Sequence, residues 1–106
     1  MTKFVSYFDC SGWESSIEVM NAQKDEKKFN LSAYAQDGKE LLSQEHTISG
    51  RGTIRIKLND HLRGHQGQVV IKHVDNADDA FPAIMTLCAD GEDYKLGNRF
   101  FPFTRL

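Results

Sequence analysis

The chain has 106 residues, of which 40% are hydrophobic, and a formal net charge of −2 from 13 Lys+Arg against 15 Asp+Glu. That length matches one domain with a core of its own, residues 1–106. The charge balance argues against a nucleic-acid partner, the hydrophobic content against global disorder, and the absence of a long apolar run against a chain embedded in a membrane.

The first predicted element is a strand over 3–9, Lys3-Phe4-Val5-Ser6-Tyr7-Phe8-Asp9. Its apolar stretch is too short for a signal peptide, so the expected compartment is the cytoplasm. Cys10 and Cys88 are then expected as two reduced thiols.

Period-two alternation marks most of the remaining chain. Ile17 and Val19 alternate with Ser16, Glu18 and Met20 in a strand over 15–22. Phe29, Leu31, Ala33 and Ala35 alternate with polar or larger neighbours over 29–36. Such alternation belongs to strands with one face on a core. Asp37-Gly38 predicts a two-residue hairpin turn into a strand over 39–48, with positive φ at both positions. After the flexible corner Ser49-Gly50-Arg51-Gly52, Ile54, Ile56 and Leu58 alternate over 53–58.

Asn59-Asp60-His61-Leu62-Arg63-Gly64 reads as one short helical turn, capped by Asn59 or Asp60 and stopped by Gly64. The β-branched run over 68–74 predicts a central strand. Strands over 82–89 and 94–104 come next, with Asp90-Gly91 as the turn between them. Seven to eight strands with turn signals about every ten residues predict an all-β, antiparallel β-sandwich.

One segment carries a further pattern. Ile17-Glu18-Val19-Met20-Asn21-Ala22 precedes a polar loop, then a strand Asn30–Tyr34, then Asp37-Gly38-Lys39; a basic strand closes on Asn59-Asp60-His61-Leu62. This order over residues 17–62 resembles the sensory rhodopsin transducer family, small soluble β-sandwich proteins. The chain departs from that family before the Asn-Ala strand, where only Ser11-Gly12-Trp13-Glu14 intervenes. The resemblance implies a homo-oligomeric, cytosolic, non-enzymatic interaction or ligand-binding module. The alternative, read from Trp13 and the polar loop groups with Tyr34 or Tyr94, is a carbohydrate- or small-metabolite-binding sandwich.

Candidate residues are few. No nucleophile is framed by a nearby base, so no catalytic residue, enzyme activity or cofactor is expected. His61 and His65 stand four apart, the spacing that puts two imidazoles on one helical face, but Gly64 interrupts them. His46 and His73 would lie on strands. With no motif to supply a third ligand, no metal site is expected and His61 with His65 is the outside candidate.

The acidic loops Asp75–Asp79 and Asp90–Asp93 miss the spacing of an EF-hand loop. Gly50–Gly52 and Gly64–Gly67 offer backbone N–H groups to an anion. Trp13 is either a stacking platform for a sugar or base or a cap on the core. Phe100, Phe101 and Phe103, beside Pro102, are the expected partner surface, unless the last strand folds wholly onto the core.

Residues 51–73 carry a net +4 and residues 74–93 a net −6. Arg55 and Lys57 share the solvent face of their strand, and Lys72 joins them if the 68–74 strand pairs alongside. Such a patch would hold a small anionic ligand or meet the acidic loops of a neighbouring subunit; the plainer reading is charge for solubility.

Overall fold

In the computed structural model, described for residues 3–74, 81–89 and 99–106 (backbone alone at 88, 89 and 99–101), the alternating segments form two antiparallel sheets. The strands are β1 (Lys3–Asp9), β2 (Trp13–Met20), β3 (Lys27–Ala35), β4 (Glu40–Ile48) and β5 (Thr53–Lys57). After the helical turn α1 (Asn59–Leu62) come β6 (Gln66–His73), β7 (Ala83–Ala89), β8 (Arg99–Pro102) and the two-residue β9 (Thr104–Arg105). The expected strand bounds agree with these to within about two residues up to β7.

The larger sheet has the order β4-β3-β6-β1-β9 and the smaller β5-β2-β7-β8. Among the described strands, β3 and β4 are consecutive within the larger sheet and β7 and β8 within the smaller, while the other consecutive pairs lie in different sheets. As expected, the β-branched 68–74 run is central, lying between β1 and β3.

Alternation places the core. Phe8, Phe29, Leu31, Val69 and Ile71 from the larger sheet meet Ile17, Val19, Ile56, Met85 and Leu87 from the smaller, all buried. Leu58, just before α1, and Leu62, its last residue, close one end, and Phe81 fills the approach to β7. Burying side chains of this kind stabilises by about 1.5–3 kcal/mol each, which offsets the entropy of ordering the strands.

Three local expectations are corrected. Gly38 takes φ +88 but Asp37 stays negative, so Gln36–Gly38 is a three-residue loop with Gly38 at the left-handed position. The cause is the Asp37 carboxylate, which accepts the Lys39 N–H at 3.0 Å while Gly38 N–H donates to Ala35 O.

The Ser49–Gly52 corner is not loose. Asn21, buried, donates through Nδ2 to Asp25 O and Ser49 O and accepts the Gln23 N–H, so it ties both loops together. Gly50 lies so close to Lys24 that a Cβ there would meet the carbonyl oxygen at 1.8 Å.

The tail is not one strand. Its described part divides at Phe103 into β8 on the smaller sheet and β9 on the larger, and the expected 94–98 portion lies outside the described residues. Pro102 cannot donate to a ladder, so β8 ends at a sheet edge, as the sequence requires.

Candidate functional site

The helical turn begins at Leu58 without any side-chain cap. Asn59, the expected cap, instead turns inward: its Oδ1 accepts the Ser15 N–H at 2.7 Å and its Nδ2 donates to Trp13 O at 2.9 Å. The competition is settled by need, because the buried Ser15 N–H has no water to bond. Ser15 also donates its hydroxyl to Asp9 O at 2.6 Å. These bonds fix the start of β2 against the end of β1.

Trp13 follows from that arrangement. It stands in the same alternation as the buried Ser15, Ile17 and Val19, and is half-buried against the core. That packing against the core is the contact the capping alternative requires. Cys10, beside it, is a free thiol and buried. Burial pushes its pKa up to about 11 against the pull of the Ser15 hydrogen bond, so it lacks the thiolate a nucleophile needs.

The basic residues do not form one patch. β5 pairs with β2, not with β6, so Arg55 and Lys57 lie on the outside of the smaller sheet and Lys72 on the larger. Each of the first two already faces a carboxylate: Arg55 Nε donates to Glu18 Oε1 at 3.2 Å, and Lys57 Nζ stands 3.8 Å from Glu14 Oε1. The glycine corners hold no anion cradle at these amides either. The N–H groups of Arg51 and Gly52 donate to Gln23 O and Ser49 O, and those of Gly64 and His65 to Cys10 O and Leu62 O.

The histidines pair differently from their spacing. Gly64, at φ +87, ends the turn, so His61 and His65 never share a helical face. His65 lines a cavity of about 410 Å³ of mixed character with Asp37, Lys39, Leu41 and Gln66. His61 instead approaches β4. Its Nε2 accepts from Gln44 Nε2 at 3.5 Å, and His46 Nε2 donates to Gln44 Oε1 at 3.1 Å. Burial first, and the charge of His61 second, hold His46 below the ordinary histidine range. Among the described residues no group of three or more His, Cys, Asp or Glu side chains could hold a metal ion.

Among the described residues, the most exposed large apolar side chains of the smaller sheet were hidden in the alternation. Met20 and Ile84 are 48% and 43% exposed on its outer face. With Pro82, Ala83 and Glu18 they line a shallow cavity of about 330 Å³. Pro102 of β8, exposed, pairs with Ile84 and extends the strip to the sheet edge. The signal was present, since Met20 falls at an outward position of its strand, among polar residues.

Of the expected aromatic tail, Phe103 is half-buried against the core. Phe100 and Phe101 pair with Thr86 and Met85, and their side chains lie outside the described residues. The acidic loops at 75–80 and 90–93 lie outside them as well. Among the described residues no helix is long and apolar enough to cross a membrane.

No protein-family model, no curated protein and no solved structure matches this chain.

Proposed function

We propose that the chain is a non-catalytic interaction module, a cytosolic accessory or signalling protein that self-associates through the outer face of its smaller sheet. The observation that carries this reading is the strip of Met20, Pro82, Ile84 and Pro102, large apolar groups left in water on a face rimmed by charge. Contiguous apolar surface with a polar rim is the usual form of a protein contact.

A second copy of the chain is the occupant we favour. The strip is flanked by the Glu18–Arg55 and Glu14–Lys57 pairs, which put both signs of charge on one face. A two-fold contact needs that self-complementarity, because each patch must meet its own copy. The resemblance of residues 17–62 to soluble homo-oligomeric sandwiches points the same way.

The test is sedimentation velocity across a concentration series, on the wild-type chain and on Met20→Lys with Ile84→Lys. The expected result is a concentration-dependent dimer that the double variant abolishes while its thermal melt is unchanged. A wild-type chain that stays monomeric to its solubility limit, or a variant that still dimerises, refutes the reading.

A second reading, a carbohydrate- or small-metabolite-binding face, is favoured by one row on the larger sheet. Tyr7, Gln68 and Tyr34 stand side by side on adjacent strands, with Tyr7 45% exposed. Flat rings beside amide groups suit a sugar's apolar and hydroxyl faces. Amide chemical-shift changes confined to β1, β3 and β6 on titrating a glycan panel would support it; none with any glycan would remove it.

A further inference from the structure

We infer that His46, His61 and the Gln44 carboxamide form a binding site for one late-transition-metal dication, of the Zn²⁺ or Ni²⁺ type. The inference stands apart from the proposed self-association, on a different edge of the molecule.

The construction is local. Gln44 and His46 are two apart on β4, so they point to the same side of an edge strand, and both are half-buried there. α1 brings His61 across the gap, held by Leu62, which is buried in the core. The result is that two imidazole Nε2 atoms face one carboxamide, at 3.1 Å from its oxygen and 3.5 Å from its nitrogen.

The ring of His46 is fixed from behind, stacked on Phe29 with centroids 5.3 Å apart. A ligand whose orientation is already set loses less entropy on binding. His61 is exposed, so it can adjust over the short distance by a change of rotamer.

The donor set selects the ion. Two imidazole nitrogens and one amide oxygen, with water completing the shell, suit zinc and nickel and are poor for magnesium or calcium, which need a cage of oxygens. Ligand imidazoles must be neutral and bind through a bare nitrogen, so on binding His46 takes the Nδ1–H tautomer and gives up the bond its Nε2 donates to Gln44 Oε1.

This site escaped the sequence because 15 residues and a change of sheet separate His46 from His61, whereas His65 offered the familiar four-residue spacing.

Calorimetric titration of the full, untagged chain with Zn²⁺ alone and Ni²⁺ alone at neutral pH tests it, with Mg²⁺ as the contrast. The expected result is one Zn²⁺ or Ni²⁺ per chain, no heat with Mg²⁺, and His46 and His61 imidazole resonances moving together in NMR. His61→Ala, at an exposed position, should weaken binding by more than the roughly 10–100-fold loss that removing an outer-sphere partner brings. His46→Phe, which preserves the stack on Phe29, should do the same, while His65→Ala binds as the wild type does. Absence of stoichiometric binding, retention of affinity in His61→Ala, or an equal loss in His65→Ala would overturn the assignment.

Discussion

Asn59→Ala is the sharpest probe of how the sandwich is held together. The substitution deletes two hydrogen bonds at once, the one accepted from Ser15 N–H at 2.7 Å and the one donated to Trp13 O at 2.9 Å. Ser15 is 1% exposed, so its amide is left with neither protein nor water, a loss of about 1–3 kcal/mol. The Trp13 carbonyl belongs to a half-buried residue that water can approach, and its loss adds about 1 kcal/mol.

The sum, about 2–4 kcal/mol, is a large part of the roughly 5–15 kcal/mol that holds a domain folded. It corresponds to a melting temperature lower by about 10–20 °C. Urea denaturation followed by circular dichroism measures the free energy directly. Asp60→Ala, one residue on and exposed, is the control and should lie within about 0.5 kcal/mol of the wild type.

Asn59→Asp separates the two bonds. Its carboxylate still accepts from Ser15 N–H but turns an oxygen towards Trp13 O, so the deficit should shrink on acidification as the carboxyl gains a proton to donate. An Asn59→Ala loss no larger than that of Asp60→Ala, or an Asp variant with no such pH dependence, would refute the bracket.

Two further predictions concern side chains that titrate. Cys10, with its pKa raised to about 11, should resist iodoacetamide in the native chain and react once urea unfolds it; site-resolved mass spectrometry showing equal rates would contradict its burial. His46, held below its ordinary pKa, takes a proton later in the folded chain than in the unfolded one. Stability is therefore full above the unfolded-chain value of about 6.5 and declines as the pH falls through the folded pKa. The pH slope of unfolding free energy over that window should flatten in His46→Phe, and parallel slopes would show that His46 is not its source.

The chain by itself determined the two faces of the alternating strands β2, β3 and β5. Period two is a local property, so Ile17 and Val19, or Phe29, Leu31 and Ala33, reveal their buried side without knowledge of the partner strand. Gly38 and Gly64 marked where the backbone takes positive φ, again a matter of single residues. The central place of β6 was legible in its β-branched composition.

Tertiary structure alone decided which strands lie side by side. β5 takes β2 as its neighbour rather than β6, and this one choice separates Lys72 from Arg55 and Lys57. The same folding turns Asn59 from a helix cap into a bracket for β2 and sets His61 against His46. The reason is physical. Face parity is enforced residue by residue through burial, whereas pairing between distant segments depends on how all the apolar faces fit together, which no short window of sequence contains.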